Sequence, residues 1–155
     1  MEGYRTYKSV QKISYREILF PDVTGILEHL KNAGWKLGLA TSTYREATDK
    51  ILKECGIQRF FSEVVCGDEV EKGKPEPDIF LCTAKKLASA PKECIVIEDS
   101  YRGVLAAKRA GMYVIGKSDN RFRQDISAAD IIVKNLTEAE NVLLSADADD
   151  VSGLT

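Results

Sequence analysis

Hydroxyl, lysine and carboxylate side chains follow three successive apolar runs of this sequence, and their types suit the handling of a phosphoryl group. Hydroxyls and free backbone N–H groups at the start of a helix favour an anion. Two adjacent carboxylates at a strand end need a compensating cation, and hard oxygen ligands suit Mg²⁺. A lysine adds a fixed positive charge, which completes the set that phosphoryl transfer requires. These residues are Thr41, Ser42, Thr43, Lys74, Glu98 and Asp99.

Each of these groups also has a plainer explanation when it is taken alone. Hydroxyls before a helix commonly serve as an N-cap. A lysine before a proline is usually a solvated loop charge, and acidic residues often begin a helix. The three groups occur in order after three predicted strands, and this arrangement favours one shared site.

The elements that must position these side chains alternate between helix and strand. Apolar spacing predicts helices over residues 22–32, 46–55, 78–87 and 102–110. Short apolar runs predict strands over residues 36–41, 63–66, 93–97, 113–115 and 131–133. Strands separated by helices predict an α/β sandwich with a parallel sheet, in which ligands bind at the carboxyl ends of the strands.

Composition excludes several other classes of protein. The 155-residue chain has 44% hydrophobic and 30% charged residues and a net charge of −2. Without a basic excess, neither a nucleic-acid partner nor a membrane surface is expected. The four cysteines form no C-x-x-C pair, and the chain shows no signal peptide, so a cytoplasmic location is expected.

The stretches LGLATST, GKPEPDIF and IVIEDSYRGVLAAKRAGM resemble the second, third and fourth signature motifs of the haloacid dehalogenase superfamily. The subgroup they resemble is that of the β-phosphoglucomutase-like phosphatases and phosphomutases. The resemblance implies a three-layer α/β sandwich with a Rossmann-like parallel sheet. It also implies Mg²⁺ as cofactor and a small phosphorylated metabolite as substrate.

The resemblance further implies a role for each of the candidate residues. Thr41 would hydrogen-bond the transferring phosphoryl group, with the Ser42 N–H beside it, and Lys74 would neutralise negative charge as a catalytic group. Asp99, assisted by Glu98, would hold the metal. Thr43, Tyr44 and Arg45 would contact the rest of the substrate, and the phosphate-binding set would be Thr41, Ser42, Thr43, Arg45 and Lys74.

The D-x-D motif that carries the nucleophile in this superfamily is not found in the sequence. Two residues after Asp22, where the motif has its second aspartate, the chain has a threonine. Asp22 is also preceded by Phe-Pro rather than by an apolar strand. Asp147 and Asp149 have the right spacing but lie in a polar stretch. Most of the cap and the central nucleophile strand are therefore expected to be missing, and the chain as it stands is expected to be inactive.

Three hypotheses follow for the function of such an incomplete core. It belongs to a phosphotransfer enzyme, it binds phosphate or a partner without turnover, or it is one part of a split enzyme. Self-association or a complementing chain is expected at the incomplete sheet. The expected organisation is a cap or hinge remnant over residues 1–18, the core over 19–144, and a disordered acidic tail over 145–155.

Overall fold

Helices and strands alternate through residues 23–145, which are the part of the chain that the computed structural model describes. The helices, numbered α1 to α5, are Val23–Asn32, Arg45–Cys55, Asp78–Lys86, Tyr101–Arg109 and Leu136–Ser145. The strands, numbered β1 to β5, are Gly38–Thr41, Glu63–Cys66, Ile95–Glu98, Tyr113–Lys117 and Ile131–Val133. The predicted cap remnant over residues 1–18 lies outside the described residues, as do residues 146–155 of the tail predicted over 145–155. Its first residue, Ser145, ends α5.

All the strand pairs within residues 23–145 are parallel, as predicted, but the strands form two separate sheets. β1 pairs with β2, and β4 lies between β3 and β5. In this part of the chain, neither the second edge of β1 nor that of β3 is hydrogen-bonded to a strand. The central position of the sheet is therefore open within residues 23–145.

Helices cover both faces of the strands and make three layers. On one face, α3 and α4 pack on the strands through a cluster that includes Phe80, Val104 and Val114. On the other face, α1 packs with α2 and β1, and also with α5 and β4. The α/β architecture expected from the alternating pattern is confirmed, and so are the three layers that the family resemblance implies.

One helix that the apolar spacing did not predict is α5. Its start is fixed by reciprocal capping, because Asn135 Oδ1 accepts the Glu138 N–H at 2.8 Å and Glu138 Oε2 accepts the Lys134 N–H at 2.7 Å. The sequence signal was the polar pair Asn135 and Glu138, three residues apart across the start of the helix, rather than its apolar spacing. No helix within residues 23–145 is long and apolar enough to cross a membrane.

Candidate active site

Lys74 joins the two sheets at the carboxyl ends of β1 and β3. Its Nζ lies 3.0 Å from Glu98 Oε1 and 3.5 Å from the carbonyl oxygen of Ala40. The side chains of Lys74 and Glu98 are only 1% and 2% exposed, respectively. The ammonium also lies 4.7 Å from the centre of the Phe80 ring. The lysine predicted to be a loop charge or a catalytic group is therefore buried beside the predicted hydroxyl loop. Burial lowers the pKa of Lys74, and the Glu98 charge opposes that fall.

The Glu98 carboxylate is hydrogen-bonded at both oxygens. Oε1 accepts from Lys74, and Oε2 accepts from the Asp99 N–H, the Ser100 N–H and the Ser100 hydroxyl at 3.0–3.1 Å. Burial by itself would raise the pKa of Glu98, but the Lys74 charge and these donors outweigh it and hold that pKa below its ordinary value. Glu98 is therefore ionised and fixed in position, with both of its oxygens engaged by protein donors.

Gly103, in the first turn of α4, lies directly against this carboxylate. A Cβ atom at that position would lie 2.1 Å from Glu98 Cδ, well inside van der Waals contact. The Gly103 N–H also donates to Ser100 Oγ at 3.0 Å, which caps the helix. Sequence analysis missed this residue, although a glycine inside an otherwise good helix is a signal of close approach.

The loop after β1 presents the predicted hydroxyl groups at the same edge of the sheets. Thr41 Oγ1 accepts the Thr43 N–H at 3.2 Å, and both side chains are buried. Thr43 Oγ1 has no hydrogen-bond partner among the described residues. A buried hydroxyl without a partner is rare in proteins, and a phosphate oxygen would supply one.

Gly67, the residue that follows β2, holds this loop in place. Its N–H donates to the Thr43 carbonyl oxygen at 3.0 Å, and a Cβ there would lie 2.3 Å from the Ser42 carbonyl oxygen. We expect Gly67→Ala to lower the free energy of unfolding by about 1–3 kcal/mol, because the backbone of the hydroxyl loop must move. Urea unfolding measures the change.

Gly73→Ala is the matched control for this substitution, since its Cβ would meet no atom within 4 Å. The two variants should therefore differ clearly in unfolding midpoint. Equal midpoints would show that the loop yields without cost and that Gly67 does not fix it.

Arg45, predicted to contact substrate, is already engaged by protein groups. Its guanidinium donates to both oxygens of Glu69 at 2.8–2.9 Å and to the Val64 carbonyl oxygen at 2.6 Å. A substrate would have to compete with these bonds. The role of Arg45 in phosphate binding stays a prediction.

The charges of Glu98 and Lys117 both act on the Asp99 carboxylate. Burial raises the pKa of Asp99, and the neighbouring Glu98 charge acts in the same direction. Lys117, a buried lysine at the carboxyl end of β4, opposes this rise. Sequence analysis did not single out Lys117. Its signal was a lysine that ends the apolar run of β4.

The residues at the carboxyl end of β3 fit a divalent metal in their chemistry. Mg²⁺ is commonly held by one or two carboxylates, with water and substrate oxygens completing the shell. Because both Glu98 oxygens accept hydrogen bonds from the protein, Asp99 is the carboxylate better placed to act as a direct ligand. Glu98 is better placed to orient Lys74 and the Asp99 backbone.

A second acidic cluster, at the end of β2, fits a metal less well. Within residues 23–145, the ligand atoms of Cys66, Asp68 and Glu69 lie within 4.8 Å of one another. Burial raises the pKa of the Cys66 thiol to about 11, so that thiol stays protonated at neutral pH. The Glu69 carboxylate is paired with Arg45. This cluster therefore serves to hold the end of β2 against α2.

Known proteins share this arrangement of sequence and fold. The sequence model of the haloacid dehalogenase-like hydrolases matches residues 2–117. The β-phosphoglucomutase of Bacillus subtilis is 38% identical over 128 residues, which are 83% of this chain and 54% of that protein. A phosphorylated carbohydrates phosphatase of Thermotoga maritima is 38% identical over 127 residues, 79% of this chain and 58% of that protein.

A solved structure agrees with these sequence matches. The protein CbbY from Rhodobacter sphaeroides, crystallised with phosphate, matches with a TM-score of 0.72 and 27% identity. The match covers 77% of this chain and 55% of that one. The chain spans about half the length of the two curated relatives named above.

Proposed function

Because the chain belongs to the haloacid dehalogenase-like hydrolase family, we propose that it supplies the phosphate- and metal-binding part of a Mg²⁺-dependent phosphotransfer enzyme. The substrate is a small phosphorylated metabolite, and the reaction is hydrolysis or mutation of a phosphomonoester. The observation that carries this proposal is the buried Lys74–Glu98 pair, with Nζ and Oε1 3.0 Å apart, beside the Thr41–Thr43 loop. A buried cation beside an unpartnered hydroxyl provides a preorganised anion site.

The residues of the site divide the work by position. Lys74 supplies positive charge to the phosphoryl oxygens, and Glu98 holds that ammonium in place. Thr41, the Ser42 N–H and Thr43 supply hydrogen bonds to the same oxygens. Asp99 binds Mg²⁺, which would neutralise further negative charge on the phosphoryl group. The positive charge of Lys117 acts to lower the pKa of Asp99.

The nucleophile of the proposed reaction comes from outside residues 23–145. A carboxylate oxygen attacks phosphorus, the P–O bond to the substrate alcohol breaks, and that alcohol leaves with a proton donated by a second carboxylic acid outside residues 23–145. Water then hydrolyses the aspartyl-phosphate and releases inorganic phosphate, or a second hydroxyl accepts the phosphoryl group. The carboxylates whose charges act on Lys74 are Glu98 and Asp99, and both already have other proposed roles.

This use of Glu98 and Asp99 also favours a second candidate function. Residues 23–145 keep an anion site, but none of their carboxylates is proposed to attack phosphorus. In this second candidate function, the chain by itself would bind phosphate without turnover. The two candidates make different predictions for an activity assay.

Hydrolysis of p-nitrophenyl phosphate with Mg²⁺ tests the proposed function. The 155-residue chain should show no hydrolysis above background. The same chain preceded by the N-terminal segment of the Bacillus subtilis β-phosphoglucomutase should hydrolyse the compound. A hybrid that folds and binds inorganic phosphate but shows no hydrolysis would contradict the proposal. That result would favour the second candidate function, phosphate binding without turnover.

Asp99→Asn should weaken Mg²⁺ binding by the hybrid at least about tenfold, because the variant removes one charge and one hard ligand. Isothermal calorimetry measures the affinity. Asp49→Asn is the control, since Asp49 lies exposed on α2 and pairs with Arg45. An unchanged affinity in the Asp99 variant would remove Asp99 as a ligand.

A further inference from the structure

A second buried lysine, Lys117, lies at the edge of the sheets that carries the candidate site. It ends β4, and its residue is 7% exposed. The register of β3 and β4 pairs Glu98 with Gly116. The next residues along the two parallel strands, Asp99 and Lys117, are therefore neighbours at the carboxyl ends. The proposed metal ligand thus has a lysine of the same chain beside it.

The backbone of Lys117 is fixed at this edge by its neighbours. Lys117 pairs with Val133 of β5, and the Ser118 N–H donates to the Val133 carbonyl oxygen at 2.9 Å. Gly116, just before it, lies against the segment that follows β4, since a Cβ atom there would lie 2.9 Å from the Ala129 methyl carbon. Lys117 therefore cannot leave the edge unless the end of β4 moves.

Burial makes the charge of Lys117 depend on nearby carboxylates. Burial lowers the pKa of Lys117, and the charges of Asp119 and Asp99 oppose that fall. Arg121 already neutralises the first of these, because its guanidinium donates to both oxygens of Asp119 at 2.7–3.2 Å. The Arg121 charge also acts to lower the pKa of Lys117. Of the two carboxylates, Asp99 is therefore the one that compensates Lys117.

The two lysines and two carboxylates at this edge form two pairs of opposite charge. Lys74 and Glu98 are one pair, with Nζ and Oε1 3.0 Å apart, and Lys117 and Asp99 are the other. When all four groups are ionised, they carry no net charge in the absence of a metal. They then do not repel an incoming phosphate, whereas Lys117 repels an incoming Mg²⁺.

From this arrangement we propose that Lys117 is a positioning residue that serves as the internal counter-charge of Asp99. It lets the site bind phosphate before a divalent cation is present, and it makes the site hold that cation less tightly. Lys117 acts through Asp99 rather than by touching the substrate. The inference rests on the proposed function, since it concerns the same phosphate and metal site, and it adds an order of binding.

The test measures the binding of inorganic phosphate and of Mg²⁺, each alone, to the 155-residue chain by isothermal calorimetry. Lys117→Met removes the charge and keeps much of the length of the side chain. Lys86→Met is the matched control, because Lys86 is exposed in the last turn of α3. The next residue, Leu87, lies against Gly38 at the start of β1, so Lys86 is at the opposite end of that strand from the candidate site.

Lys117→Met should bind phosphate at least about threefold more weakly and Mg²⁺ at least about threefold more tightly than the parent chain. A damaged site would lose affinity for both ligands, so changes of opposite sign report on charge. Lys117→Arg keeps the charge and should lie closer to the parent chain for both ligands. Lys117→Gln should repeat the methionine result, and it takes its place if the methionine variant does not fold. Lys86→Met should bind both ligands as the parent chain does.

Equal affinities in the parent chain and in Lys117→Met would overturn this inference and leave the proposed function standing. Weaker binding of both ligands would also overturn it, as would failure of both uncharged variants to fold, since either result would give Lys117 a structural role alone. A parent chain that binds no phosphate, or an uncharged variant that binds no Mg²⁺, would overturn it as well. Hydrolysis by the hybrid tests the proposed function separately, because calorimetry requires no turnover.

Discussion

Lys74→Met should lower the free energy of unfolding by about 3–5 kcal/mol, which is the usual cost of leaving one partner of a buried ion pair without its counter-charge. Glu98 is 2% exposed and would remain as a buried carboxylate without the lysine at 3.0 Å. Methionine keeps much of the length of the side chain, so the loss reports mainly on charge. Urea unfolding at neutral pH measures it.

The double variant Lys74→Met with Glu98→Gln is the control for this prediction. It removes both charges, so its stability should lie above that of the single variant, even though both changes affect the site. A loss below about 1 kcal/mol in the single variant would contradict the prediction, since it would mean that water or another cation reaches Glu98.

Gly103→Ala should lower the free energy of unfolding by about 2–4 kcal/mol, although alanine favours helices over glycine by about 1 kcal/mol. The new methyl group would overlap the Glu98 carboxylate, whose Cδ lies 2.1 Å from the ideal Cβ position. This carboxylate cannot swing aside cheaply, because Lys74, the backbone and Ser100 hold both of its oxygens. In the active hybrid, the same change should also reduce phosphate binding, because the glutamate positions Lys74.

Gly25→Ala provides a matched control in the same chain. Both glycines are the third residue of their helices, α1 and α4. A Cβ at Gly25 would meet no atom within 4 Å. Gly25→Ala should therefore leave stability unchanged or raise it by up to about 1 kcal/mol. If the two variants had the same stability, close contact with Glu98 would not explain the presence of Gly103.

Local patterns in the sequence predicted most of the helices and strands, because apolar periodicity reports on burial directly. The prediction of strand 63–66 matches β2, and helix 78–87 differs from α3 by one residue. Strand 93–97 differs more, since Pro91 begins a short 3₁₀ turn through Glu93 and β3 starts at Ile95. A short apolar run does not indicate where a strand begins.

The motifs also predicted which residues gather at one edge, because the carboxyl ends of parallel strands meet there. Lys74 and Glu98 are 24 positions apart in sequence, and the structure brings them to 3.0 Å. The sequence did not predict that both Glu98 oxygens accept hydrogen bonds from the protein. That arrangement depends on Lys74 and Ser100 reaching the same carboxylate, which no local pattern encodes.

By itself, the sequence determined the α/β class, the order of the elements as far as β5, the family resemblance and the absence of a recognisable D-x-D motif. Tertiary structure alone decided that Gly103 and Gly67 are contact residues, that Lys117 acts on Asp99, and that an open slot lies between β1 and β3. The physical reason is one of range. Periodicity and capping act over a few neighbouring residues, whereas close approach, buried charge and cavity shape depend on segments that only folding brings together.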